Sequence, residues 1–248
     1  MILFLFFIFG LVIGSFLNVC IYRIPKGRSI VSPPSSCVSC GTLLQPMDLF
    51  PVISWAVLGG KCRYCGESIA LRYPLVEILT GLLYAVTYWR IGLVWALIPH
   101  IILITILITI TFIDLDHQMI PNTINLFALV VFLGSNLTLG YIDWRDAIIG
   151  GLVGGGFLFL LVLFSRGAAM GMGDVKLMAV LGLFLGWRSI LLTLLLSFIL
   201  GGLFGVLLLL LKRKGRKDAI PFGPWIALAV IVTILYGNEI LTWYIQFL

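Results

Sequence analysis

The chain has 248 residues, of which 61% are hydrophobic and 10% charged, with 16 Lys plus Arg against 10 Asp plus Glu. A soluble domain carries about 25% charged residues, so this composition excludes an ordinary aqueous core and reads as an all-α polytopic membrane protein. The net charge of +6 would fit a nucleic acid or a membrane surface, but the placement of the charges assigns it to membrane topology and not to nucleic acid.

The first 20 residues are apolar, and the first positive charges, Arg23, Lys26 and Arg28, come after them. A cleaved secretory signal carries its charge ahead of the apolar run, so the expectation is a retained transmembrane helix over 2–22 with its N-terminus outside. A polar segment follows over 23–73, rich in Pro, Ser and Gly and holding four of the five cysteines. It is too long for a connector and predicts a small cytosolic domain, with 49–58 apolar enough to rest on the bilayer surface. Pro74 suits the opening of a second span running to about residue 89.

A third span is expected over 93–113, a polar link over 114–121, and a fourth span over 122–139. A fifth covers 147–165 and carries Gly150, Gly151, Gly154, Gly155 and Gly156, small residues that let helices approach closely. The run 175–211 is broken only near Gly186-Trp187-Arg188. It holds two helices, the first of them short for a bilayer. A basic run, Lys212, Arg213, Lys214, Arg216 and Lys217, precedes the last span over 222–247.

This makes about eight transmembrane helices, with the small domain between helices 1 and 2. The parts are a first helix (1–22), the cysteine domain (23–73) and a membrane-embedded domain (74–248). With the N-terminus outside, thirteen Lys and Arg fall inside: six in 23–73, Arg166 and Lys176, and five in 212–217. Arg90, Arg145 and Arg188 fall outside. That asymmetry supports both the count and the orientation.

The topology puts Asp114 and Asp174 at the inner ends of spans three and six, at one depth. Two neighbouring carboxylates resist ionising together, so one keeps a proton while the other acts as a base. Such a pair activates water against a peptide carbonyl. The alternative is two separate helix-end acids, each solvated. Asp174 follows Gly171-Met172-Gly173, whose glycines permit a sharp turn and close approach of a substrate chain. Asp116 lies two residues from Asp114, about 200° around a helix, so only one of them can face Asp174. Spacing does not choose between them.

Cys37-x-x-Cys40 and Cys62-x-x-Cys65 are each followed by glycine, Gly41 and Gly66. Four thiolates suit a closed tetrahedral structural zinc, a staple for a domain too small for its own core. The alternative is a reduced thiol set or a redox pair. Glu77 lies just inside span two, with pairing to Arg72 or Arg23 as its plain reading. His100 and His117 are isolated and read as interfacial. Pro221-Phe222-Gly223-Pro224 makes a kinked entry to the last span, on the same inner face as the two acids.

The chain resembles the prepilin peptidases, the type IV leader peptidases of bacterial pilus and type II secretion systems. The similarity runs through Gly14-Ser15-Phe16-Leu17-Asn18, Tyr22-Arg23-Ile24-Pro25, the cysteine pairs and Arg72-Tyr73-Pro74-Leu75-Val76-Glu77. It continues through Asp114-Leu115-Asp116, Ile120-Pro121-Asn122, Gly171-Met172-Gly173-Asp174-Val175-Lys176-Leu177 and Pro221-Phe222-Gly223-Pro224. The resemblance implies a bifunctional enzyme of the bacterial inner membrane with its active site facing the cytosol. It would cut the leader of a prepilin or pseudopilin after Gly, then N-methylate the new terminus with S-adenosylmethionine. The family's first catalytic Asp lies seven residues before the Pro of its Ile-Pro motif, which selects Asp114. The second catalytic residue is Asp174. Glu77 matches an acidic position tied to methylation, and the cysteine domain is associated with that activity. The rivals are a presenilin-like protease sharing Gly-x-Gly-Asp and a proton-coupled transporter. Against the first, its partner Asp typically follows Tyr, whereas Asp114 follows Ile113.

Overall fold

The computed structural model describes residues 1–167, 170–211 and 220–246. Among them every regular element is helical: α1 (Ile2–Arg23), α2 (Ile53–Val57), α3 (Arg72–Ile91), α4 (Leu97–His117), α5 (Asn122–Leu139), α6 (Trp144–Phe164), α7 (Met172–Leu210) and α8 (Gly223–Ile245). Six of these, α1 and α4 to α8, are long and apolar enough to cross a membrane. α3 spans 20 residues but carries Arg72, Glu77 and Arg90, which dilute its apolar character. The basic run 212–217 lies outside the described residues.

The expected borders shift where local chemistry continues a helix. α3 starts two residues before Pro74, which therefore sits in the first turn, where its missing N–H costs nothing. α4 begins later than expected and ends later, at His117, so Asp114 and Asp116 are helical. Nothing stops that helix until Gln118, whose φ is 51°.

The chain divides into two compact units, Met1–Thr109 and Ile110–Leu248. In the first, α1 and α3 run antiparallel, with Phe6 stacked on Tyr88 at 4.6 Å and Asn18 Nδ2 donating to the Tyr73 carbonyl at 3.1 Å. Between these ends, a Cβ on Gly10 would sit 2.6 Å from the Gly81 Cα, and one on Gly14 would sit 2.6 Å from the Glu77 Cα. The two backbones touch because glycine recurs every fourth residue on α1.

In the second unit, α6 lays its glycine face on α7. Gly150 meets the backbone of Gly182, a Cβ on Gly154 would meet the Met178 carbonyl at 2.6 Å, and one on Gly155 the Ala179 Cβ at 2.6 Å. Gly156 faces open space. α7 is not one rod: Gly186 has φ 78° and ψ 172°, a conformation open to glycine. The register shows a reversal there. Before it, α6 residues 150 and 154 pair with 182 and 178, running antiparallel. After it, 154 meets Ile190 and Phe157 meets Phe198, running parallel. The 39 residues are thus a helical hairpin. Counted with α3, its two limbs give the eight expected spans.

The first limb, 172–185, covers about 21 Å at 1.5 Å per residue, short of a hydrocarbon core of about 30 Å. The second limb runs antiparallel to α8, through Phe204 on Trp225 at 4.6 Å and the Thr193–Thr233 hydroxyl bond at 3.0 Å. The N-termini of α7 and α8 therefore lie at one end of this unit.

Candidate active site and metal centre

Asp114 and Asp174 line one cavity of about 320 Å³, together with Gln118, Met119, Ile120, Asn122, Gly171, Met172, Gly173 and Lys176. Three stretches distant in sequence, 114–122, 171–176 and the start of α8, build this site and its rim. Asp114 comes from the last turns of α4 and is buried, at 5% exposure. Asp116 is exposed and does not line the cavity, as the 200° offset between them requires.

Asp174 is the third residue of α7, whose N-cap is Gly171. Its own N–H donates to the Gly171 carbonyl at 3.2 Å. A Cβ on Gly173 would press on the Ile120 Cβ at 3.0 Å, so glycine here lets the turn before Asp174 pack on the Ile120-Pro121 corner. At α8, the Gly223 N–H donates to Asp114 Oδ2 at 2.8 Å. A Cβ on Gly223 would sit 2.8 Å from that oxygen, so the close approach excludes a side chain. The Pro221–Pro224 entry noted in the sequence thus reaches the first acid directly.

Two contacts tie the start of α5 to the start of α7. Lys176 Nζ donates to Asn122 Oδ1 at 2.9 Å, and Asn125 Nδ2 donates to the Gly173 carbonyl at 3.5 Å. Asn125 is buried, and its Oδ1 has no hydrogen-bond partner among the described residues. Sequence reasoning did not single out Asn125. The available signal was a polar amide one turn into an apolar helix, where a buried polar group needs a partner.

The four paired cysteines converge as expected, their sulfur atoms all within 4.8 Å of one another. They form no disulfide: Cys37 Sγ and Cys65 Sγ are 3.9 Å apart, against about 2.05 Å for a bond. A tetrahedral ion with metal–sulfur bonds of about 2.3 Å spaces its ligands about 3.8 Å apart, so the cluster could hold one metal ion.

Two knuckles of equal design present these sulfurs. Cys37 N–H donates to the Thr42 carbonyl at 2.9 Å and Cys62 N–H to that of Glu67 at 2.8 Å. Gly41 and Gly66 each return an N–H to the first cysteine of the pair at 2.9 Å, with φ of 72° and 74°. Bridges Ser36–Leu43 and Lys61–Ser68 close the two loops. The Thr42 hydroxyl, 3.3 Å from Cys40 Sγ, holds that thiol low, at about 6. The backbone N–H groups of Cys65 and Tyr64 lower Cys62. Against the lowering pull of the Glu67 N–H, burial and the other sulfurs push Cys65 up to about 12.

Glu77 lies in the first unit and is buried, at 7% exposure. Its Oε2 accepts the Val52 N–H at 2.7 Å, and Ser15 is a second hydrogen-bonding neighbour. Of the arginines considered as its partner, Arg23 instead donates to the carbonyls of Ser29 and Pro34, at 3.1 and 3.4 Å. His100 Nδ1 lies 2.7 Å from the carbonyl of Ala96, the residue just before α4.

A multi-pass helical protein with two acids in one cavity and a separate four-cysteine cluster is the class this geometry defines. Residues 8–91 match the bacterial peptidase A24 N-terminal domain, and residues 101–206 match the type IV leader peptidase family. The chain is 36% identical to a prepilin leader peptidase/N-methyltransferase of Aeromonas salmonicida, over 98% of this chain and 93% of that one. It is 35% identical to the Bacillus subtilis protein of the same name, over 97% and 96%, and 34% identical to that of Pseudomonas aeruginosa, over 96% and 91%. No solved structure matches. The chain belongs to the type IV leader peptidase family and is an enzyme of that family.

Proposed function

We propose that this protein removes the leader from type IV prepilins and pseudopilins at the cytosolic face of the bacterial inner membrane, then N-methylates the new terminal residue. The observation that carries the reading is the single cavity lined by Asp114 and Asp174. One carboxylate takes a proton from a water. That water attacks the carbonyl carbon of the substrate glycine, while the other acid, protonated, polarises the carbonyl oxygen; the C–N bond after the glycine then breaks, and the leaving amine takes up the proton removed from the water. Gly223 N–H orients Asp114, and the N-terminal turn of α7 orients Asp174. A glycine before the cut lets the substrate helix unwind into an extended strand.

The cysteine cluster is the site of a structural zinc, since four thiolates leave no open position for a reacting ligand. When bound, S-adenosylmethionine supplies an electrophilic methyl group. Glu77 is the candidate residue for its cationic end, because a carboxylate keeps lone pairs beyond those engaged by Val52 and Ser15. The segment 23–73 belongs to this second activity, and 74–248 holds the peptidase.

The test is mass spectrometry of a co-reconstituted prepilin with and without S-adenosylmethionine. Loss of the leader mass in both arms, with an added 14 Da (about one methyl) only in the first, is the expected result. An uncut substrate in both arms would favour the proton-coupled transporter instead, and cleavage without methylation would favour a single-activity protease.

A further inference from the structure

Between the two knuckles runs a segment with an unusual surface. Met47, Phe50, Ile53 and Val57 are 52%, 60%, 64% and 77% exposed. On α2, Ile53, Ala56 and Val57 share the outward face at i, i+3 and i+4, and all three are exposed. The inward face is anchored. Trp55 packs on Gly60 and donates its indole N–H to the Ile69 carbonyl at 2.9 Å. A row of apolar side chains held outward by a fixed inner face is costly in water.

The depth of this segment follows from Glu77. Its carboxylate holds the Val52 N–H at 2.7 Å. Glu77 lies five residues into α3 from Arg72, about 7.5 Å along the axis. Its Cα also packs on Gly14 of α1, nine residues or about 14 Å before Arg23. By both helices, the Cα of Glu77 lies below the level of the flanking arginines, and Val52 is held to the Glu77 carboxylate. At the levels of Gly14 and Glu77, α1 and α3 also carry exposed Phe16, Leu75 and Leu79, so the helix pair has an apolar outer surface at this depth. The segment 23–73 carries six basic and two acidic residues, a balance that favours anionic headgroups.

We infer that residues 47–57 form an interfacial membrane element, with Phe50, Ile53 and Val57 inserted among phospholipid acyl chains and Glu77 as the latch that fixes their depth. The occupant of this face is the bilayer. An apolar helix face sinks about 5–10 Å past the headgroup boundary, a range that includes the level of the Glu77 Cα on α3. The inference does not rest on the peptidase reading, because it concerns the lipid and not the substrate, although it shares Glu77 with the methylation reading.

The test places the photoreactive residue p-benzoylphenylalanine at Ile53, at Val57 and, as control, at exposed Tyr64 on the second knuckle. The full chain is held in nanodiscs of phosphatidylethanolamine and phosphatidylglycerol. After irradiation, phospholipid adducts at Ile53 and Val57 should exceed those at Tyr64 by about tenfold. Equal yields, or adducts to a second copy or to added prepilin in place of lipid, overturn the proposal. Hydroxyl-radical footprinting of the unsubstituted protein provides a reading that needs no variant. Phe50 and Ile53 should be spared in nanodiscs while Tyr64 is oxidised, and equal oxidation counts against insertion. E77A should cut the lipid adducts at Ile53 severalfold, while E77Q, which still offers an acceptor to Val52, should keep them. No change in E77A removes the latch.

Discussion

The cysteine cluster and the acid cavity are built on opposite plans. Each knuckle closes within eight residues, 36–43 and 61–68, through its own backbone hydrogen bonds. The acid cavity and its rim join residues 114–122, 171–176 and 223, held by contacts between helices far apart in sequence. A site made locally depends on turn chemistry, whereas a site made at helix ends depends on every seam that sets where those ends fall. The glycine contacts between α6 and α7 are such a seam, because the reversal at Gly186 and the position of Asp174 both rest on it.

The largest expected effect tests the cavity itself. Asp114→Asn and Asp174→Asn should each lower leader cleavage about a thousandfold or more, with metal content unchanged. Cleavage near the normal rate in either variant would remove the paired-acid mechanism. Next comes the seam. Gly150→Leu or Gly182→Leu places a side chain where backbones touch, and overpacking costs about 1–3 kcal/mol or more. Cleavage should fall about a hundredfold, in step with a lower melting temperature, while the knuckles keep their metal. Loss of metal in these variants would show that the two plans are not separable.

The complementary break is Cys62→Ser, which should take metal from about one ion per chain to none and leave leader cleavage within about threefold. Proton release on metal binding sharpens the same point. Cys65, pushed up to about 12, is protonated at pH 7.5, whereas Cys40, at about 6, is already largely thiolate. Binding should therefore release a proton from Cys65. Affinity should rise with pH and fall on acidification, most steeply as pH drops through about 6, where Cys40 also takes up a proton. Calorimetry in buffers of different ionisation enthalpy measures this, and a pH-independent affinity would contradict the thiolate ligand set. The smallest effect is expected of Asp116→Asn, within about threefold of normal cleavage, because Asp116 is exposed outside the cavity. A loss as large as that of Asp114→Asn would reverse the choice between them.

Much of this was legible in the residues. The paired Cys-x-x-Cys spacing, each pair followed by glycine, predicted a cluster that the two knuckles deliver. The long apolar runs, the asymmetry of Lys and Arg and the break at Gly186 predicted the count and the reversal. The 200° offset on a helix said that Asp114 and Asp116 could not both serve, and family resemblance named Asp114. Burial then separated the two acids by geometry. These features share a cause: each is encoded by spacing along a few residues or by composition summed over a span, and neither needs a distant partner.

What only the tertiary structure decided concerns contacts between elements. The closeness of Gly223 to Asp114, the packing of Gly173 on Ile120, the hold of Asn122 and Asn125 on the start of α7, and the latch from Glu77 to Val52 each join residues at least 25 positions apart. Glycine in a sequence permits close approach but does not say what approaches. A buried carboxylate or amide requires a hydrogen bond but does not name its donor. Those choices fall to helix packing, which sets the neighbours of each polar group once the apolar faces have met.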